Sequence, residues 1–298
     1  MTNPSYIYED KQVDKITIRK FDFVFSDDLN PVWIPHNPAR SHLFNGLSVT
    51  MPYLEPYLIK SMKLAMKHIS EPRLREDIRD FCGQEAQHYR CHRRVNDLLK
   101  SNGHPKLAIV EDKLEKTYTK LSKRSLRTQL AYNAGFECMT NGFTHWLVNQ
   151  RVSLFRNASP AMTSFWLMHV IEETEHKTVA YDAYMAYSGA YIPRFIGVFH
   201  GSFHVFGYGV FAMLVALKED KRLFGVKTSL SAIREIGSAF YNVIPYLFRA
   251  LLPWHNPRCE DDPKWMEDWV TGYARLSKEM PMPLLDTSHP EIPVPFAT

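Results

Sequence analysis

Residues 165–184 read FWLMHVIEETEHKTVAYDAY and place Glu173 and His176 three positions apart in an otherwise apolar helical run. On an α-helix, positions i and i+3 share a face, so both side chains can point at one spot. The device recurs in DFCGQEAQHYRCH, residues 80–92, as Glu85 and His88. Two further glutamates, Glu55 and Glu137, sit among apolar residues, 30 and 36 positions before the glutamates of the two pairs. Glu, Glu-x-x-His, Glu, Glu-x-x-His is the ligand order of a dinuclear carboxylate centre inside a four-helix bundle.

The charge argument points the same way. Ionised carboxylates resist leaving water, and four of them in a helical core cost many kcal/mol without compensation. Two divalent cations cancel that charge, and the imidazoles add neutral donors. Mixed carboxylate and imidazole ligation suits iron or manganese, and the set lacks the thiolates favoured by structural zinc. One Glu-x-x-His is expected by chance in a chain of this composition. Two copies, each with an apolar-flanked glutamate upstream, are not.

The chain has 298 residues, 45% hydrophobic and 13% aromatic, the composition of a globular protein. Its net charge of +4 is scattered, with no basic stripe for nucleic acid. Cys82, Cys91, Cys138 and Cys259 lack Cys-x-x-Cys spacing, so reduced thiols and a cytoplasmic setting are expected. The opening MTNPSYIYEDKQVDK is polar and acidic, unlike a secretory leader.

Residues 1–39 read as an extended arm with one strand at Ile16–Phe25. Residues 40–190 read as the bundle. Its first helix spans about Arg40–Ile69, with a kink expected at Pro52; its second runs from a cap at Ser70 to Asn102, ended by Gly103. A charge-rich helical connector covers 107–123. The third helix spans Ser125–Phe155, and the fourth is capped by Ser159 and Pro160 and ended by Gly189.

Residues 195–217 carry no charge, a length able to span a bilayer. They also hold two histidines, a serine and four glycines, and Arg234, Glu235 and Arg249 follow. The favoured reading of 191–252 is therefore a buried helical hairpin packed on the bundle, with contact to a membrane surface as the intermediate reading. The tail, 253–298, is proline-rich with a short amphipathic helix near Lys264–Lys278.

Around the ligands, His169 precedes Glu173 by one turn and His92 follows His88 by one turn. Either ring can approach the metals, although a hydrogen-bonded core histidine of the outer layer is the commoner case; metal-bound imidazoles donate their second N–H to an outer acceptor, a role open to Gln84 and Glu172. Glu175 reads as solvent-facing or salt-bridged. Tyr89, Tyr132 and Tyr181 are candidates for one-electron chemistry, and His200 and His204 are four apart on the uncharged run.

The stretches FNGLSVTMPYLEPYLIKS (44–61), RDFCGQEAQHYRCHRRVNDLL (79–99) and 165–184 resemble the bacterial "predicted metal-dependent hydrolase" family. That family is itself similar to ferritin-like dimetal carboxylate proteins. The resemblance covers roughly residues 14–275. It implies an all-α, ferritin-like four-helix bundle with Glu55, Glu85, His88, Glu137, Glu173 and His176 as metal ligands. Members tend to carry Phe-Pro-x-Gly-Glu before the first ligand. Here the stretch is Met51-Pro52-Tyr53-Leu54-Glu55, and Leu54 in place of glycine is expected to narrow the pocket.

By analogy with ferritin-like enzymes, Glu85 and Glu173 would bridge the ions, with Glu55 and His88, and Glu137 and His176, closing the two ends. The leading expectation is a non-haem di-iron (or iron/manganese) oxidoreductase that uses dioxygen as co-substrate to oxidise a hydrophobic small molecule, with residues 191–252 as lid or channel. A dinuclear metal-dependent hydrolase is the alternative. A non-catalytic iron-handling protein is the third reading. The electron donor is left open, as are a homodimer and a peripheral membrane contact.

Overall fold

The computed structural model describes residues 3–9, 16–276 and 282–296. Among them the chain is all-α. The helices are α1 (Pro38–Met66), α2 (Pro72–Ser101), α3 (Leu107–Leu121), α4 (Leu126–Asn149), α5 (Arg151–Phe155), α6 (Pro160–Glu175), α7 (Val179–Tyr187), α8 (Tyr191–Glu219), α9 (Val226–Ala250) and α10 (Lys264–Tyr273).

Local chemistry sets most boundaries. The Ser125 hydroxyl accepts from the Thr128 N–H at the start of α4. Ser159 does the same for Met162, with Pro160 in the first turn of α6. Gly103 (φ +112) and Gly189 (φ +63) turn the chain after α2 and α7 in the region that disfavours a Cβ. At α2 the cap is Glu71, whose carboxylate accepts from Arg73 N–H, and not Ser70. Pro52 and Pro56 both lie within α1 without ending it.

Two expected helices are broken. The third divides at Gln150 into α4 and α5, and the fourth divides at His176–Thr178 into α6 and α7. His176 takes φ −111 and ψ 14, outside the helical region. The second break coincides with Lys177, whose ammonium donates to the Glu260 carbonyl and to Asp262, each at 2.6 Å.

The arm at Ile16–Phe25 is extended but pairs with no strand among the described residues. Its alternation is real and serves packing. Arg19, Phe21, Phe23 and Phe25 are buried, while Lys20 and Val24 are exposed. The three phenylalanine rings surround Phe165 of α6, and Phe21 lies 4.8 Å from the His88 ring.

Helix α1 packs on α2 and α4, and α4 on α6 and α7. Helices α8 and α9 lie across α1 and α4 instead of pairing mainly with each other, so the buried hairpin is corrected to two half-exposed helices. Glycines explain the close seating of α8. A Cβ on Gly135 would stand 2.1 Å from the Gly197 carbonyl oxygen, and one on Gly46 2.1 Å from that of Gly209. The far sides expose Ile192, Ile196, Phe199 and Phe203 on α8, and Leu230, Ile233, Tyr241 and Phe248 on α9. Helix α8 is the one described helix long and apolar enough to cross a membrane. The four cysteines are free. Residues 277 and 278 of the expected tail helix lie outside the described residues.

Candidate metal centre

Four segments bring the six sequence-predicted residues together. Glu55 comes from α1, Glu85 and His88 from α2, Glu137 from α4, and Glu173 from α6, with His176 at its C-terminal cap. All six are buried, none more than 3% exposed. Glu173 Oε1 lies 3.6 Å from His88 Nδ1 and 3.9 Å from His176 Nε2. Glu85 faces both rings as well, Oε1 to His176 Nε2 at 3.5 Å and Oε2 to His88 Nδ1 at 3.8 Å. Glu137 Oε2 stands 3.6 Å from His176 Nδ1. Glu55 Oε1 stands 3.7 Å from His169 Nε2.

These groups ask for a cation. Both oxygens of Glu55 and of Glu85, Glu137 Oε1, Glu173 Oε2, His88 Nδ1 and both nitrogens of His176 are buried without a hydrogen-bond partner. Orphaned polar atoms at this density are rare in folded proteins and each carries a desolvation cost. Glu85, His88, Glu173 and His176 each offer a ligand atom within 4.8 Å of the others.

The electrostatics describe the same strain. Burial pushes the Glu55 and Glu85 carboxyls up, and Glu137 to about 8, with neighbouring carboxylates adding to each. Burial would raise Glu173 too, but His176 above all holds it down to about 2. Burial opposes charge on His176, yet Glu173 and Glu137 lift it to about 9. The four carboxylates and two imidazoles thus hold one another away from their ordinary values.

A second layer orients the first. His88 Nε2 meets Glu172 Oε2 at 2.9 Å, on the side of the ring away from Glu85. Glu172 pairs with Arg19 at 3.1 Å, and Arg19 holds Glu175 through two contacts of 2.7 and 2.6 Å. Gln84 Nε2 donates to Glu175 Oε2 at 2.8 Å and reaches no ligand directly. Glu175 is therefore buried and ion-paired, not solvent-facing. Arg19 is the residue that sequence reasoning missed. It lies 153 positions from Glu172, and only the alternation of the arm marked it as inward-facing.

His169 Nε2 lies 2.9 Å from Glu173 Oε1, and its Nδ1 lies 2.9 Å from His92 Nε2. His200 and His204 do not join the centre; His204 Nδ1 bonds the Tyr132 hydroxyl at 2.8 Å. Tyr181 donates to the His255 carbonyl. Tyr89 on α2 is half-buried.

An apolar pocket is lined by Glu173 and His169 together with Phe136, Met139 and Phe143 of α4, Phe203 and Phe206 of α8, and Phe240 of α9, among others. Leu54 is buried and is not among its lining residues.

The all-α chain thus carries buried carboxylate and imidazole groups that could hold metal ions. The chain is a member of the family described as "predicted metal-dependent hydrolase", which matches residues 17–261. No curated protein and no solved structure shows a significant match.

Proposed function

We propose that Glu55, Glu85, His88, Glu137, Glu173 and His176 hold two divalent metal ions, and that the protein is a metal-dependent hydrolase of an apolar small molecule. The observation that carries this reading is the convergence of four buried carboxylates and two imidazoles, most of whose inward oxygen and nitrogen atoms lack a hydrogen-bond partner. The family description supports hydrolysis as the reaction. Such ions supply Lewis acidity and activate water for hydrolysis or, as iron, activate dioxygen. The two oxygens of Glu85, each facing a different histidine, suit a bridging carboxylate. The aromatic pocket wall excludes bulk water and orients an apolar substrate, with Glu173 and His169 among its lining residues. Thr140 Oγ1 donates to the Glu137 carbonyl and steadies that turn of α4.

A second reading, oxidation of the same apolar substrate with dioxygen, is favoured by the donor set itself. It is rich in carboxylate and lacks thiolate, as iron centres of that kind do. The separating experiment compares Zn(II)-, Mn(II)- and Fe(II)-loaded protein on long-chain esters under nitrogen and under air. Oxygen-independent ester cleavage supports hydrolysis. Turnover that needs Fe(II), a reductant and oxygen overturns it in favour of oxidation. Uptake of iron well beyond two ions per chain, without turnover, overturns both in favour of iron handling.

We further propose that the exposed faces of α8 and α9 rest on an anionic lipid surface from which the substrate enters. Phe203 belongs both to the pocket wall and to the exposed stripe, so pocket and face are continuous. Lys218, Lys221, Lys227 and Arg234 are exposed along and beside that face, the arrangement of an interfacial helix pair. The full chain is expected to sediment with phosphatidylglycerol vesicles, and Ile196→Glu with Ile233→Glu to abolish this. A dimer in light scattering that Ile233→Glu splits, with no vesicle binding by the parent, overturns it.

A further inference from the structure

A chain of hydrogen bonds behind the centre fixes which nitrogen of His169 carries a proton. Asn96 Nδ2 donates to the Ser48 carbonyl oxygen at 2.9 Å, which sets the orientation of the Asn96 amide. Asn96 Oδ1 then lies 2.8 Å from Ser48 Oγ and must accept its only hydroxyl proton. Ser48 Oγ also lies 2.8 Å from His92 Nδ1, so that nitrogen is the donor. His92 hydrogen-bonds to no carboxylate, only to the hydroxyl and a neighbouring ring, and Glu55 beside it stays beyond hydrogen-bond reach, so a charge there would stand buried without a direct counter-ion. Its Nε2 is accordingly an acceptor, and His169 Nδ1 donates to it at 2.9 Å.

The consequence falls on the other side of the His169 ring. Nε2 turns its lone pair toward Glu173 Oε1 at 2.9 Å, with Glu55 Oε1 at 3.7 Å. Two acceptors do not sit 2.9 Å apart without a proton or a metal ion between them. Both oxygens of Glu55, beside that gap, lack any partner.

We propose that His169 Nε2 is a seventh protein ligand of the dinuclear centre, on the ion served by Glu55, His88 and Glu173. Asn96, Ser48 and His92 act as positioning residues that present the lone pair. This rests on the dinuclear reading above and goes beyond it by making the centre unequal, with two imidazoles on one ion and one on the other.

The test is X-ray absorption on the full-length protein loaded with Co(II), together with metal analysis and competition against a chromophoric chelator. Two cobalt ions with three imidazoles between them is the expected result. His169→Gln is expected to weaken one of the two ions by 100-fold or more and to remove one imidazole from the count. Ser48→Ala, which keeps the ligand and loses only the tautomer lock, is expected to weaken the same ion about 10-fold with the count unchanged. Imidazole added to His169→Ala is expected to restore the second ion. Two ions with only two imidazoles in the parent protein overturn the inference and leave the dinuclear reading intact. Fewer than two ions in the parent protein defeats the dinuclear reading itself. The count on the parent protein decides even where a variant does not fold.

Discussion

Glu172 Oε2 lies 2.9 Å from His88 Nε2, while the opposite nitrogen of that ring faces Glu85 and Glu173. Glu172 thus accepts the outer proton of a ring whose inner face is turned to the centre. Such a partner fixes the tautomer and increases the basicity of the ligating nitrogen. Replacing it with Gln keeps the shape and removes the charge. Glu172→Gln is expected to weaken metal binding by about 10- to 100-fold with little change in fold, measured by chelator competition. Unchanged affinity would remove Glu172 from the centre.

Arg19 is buried, 3% exposed, and pairs with both Glu172 and Glu175 while lying over the rings of Trp269 and Tyr273 at 5.3 and 5.0 Å. Deleting its charge strands two buried carboxylates. Arg19→Met is expected to cost about 3–5 kcal/mol in urea unfolding, the range for breaking a buried pair from one side. The double change with Glu175→Gln should recover part of that loss, because one stranded charge is then gone.

Two glycines of the α4–α8 region should respond oppositely to alanine. At Gly135 the new Cβ would press on the Gly197 carbonyl, so Gly135→Ala is expected to cost about 1–3 kcal/mol as α8 shifts off α4. At Gly207, mid-helix and exposed, a Cβ meets nothing within 4 Å. Gly207→Ala should therefore stabilise by up to about 1 kcal/mol through helix propensity. Thermal unfolding of the pair reads both signs.

Acid should weaken the fold away from the metal site. Burial, aided by His200, holds His204 down to about 4. Burial, aided by Arg194, does the same for His255. Their ordinary value is about 6.5, so the unfolded chain takes up protons before the folded one. The stability they contribute is complete above about 6.5 and is lost as pH falls toward 4. Discounted for partial exposure, the loss is roughly 1–2 kcal/mol for each. Urea midpoints between pH 7 and 4.5 should fall accordingly, and His255→Gln should flatten the slope.

Much of the centre was legible in the sequence because helical geometry turns a spacing of three into a shared face. Glu85 with His88 needed nothing more, while Glu173 meets His176 across the last turn and cap of α6. The starts of α4 and α6 were equally readable, since Ser125 and Ser159 act on their own neighbours. Arg19 was not, because an ion pair with a residue 153 positions away leaves no local pattern. Nor was the break at His176, which coincides with Lys177 reaching Glu260 and Asp262 across the fold. The uncharged run 195–217 misled for another reason. Its glycines allow backbone contact along one side of α8 only, and hydropathy does not report which side that is.

The second layer also couples the centre to both ends of the chain. Arg19 arrives from the arm before α1, and the rings that cover it, Trp269 and Tyr273, arrive with α10. During synthesis the four glutamates and two histidines are all made before that cover exists. The shell around the candidate centre is therefore complete only once both the arm and α10 are in place.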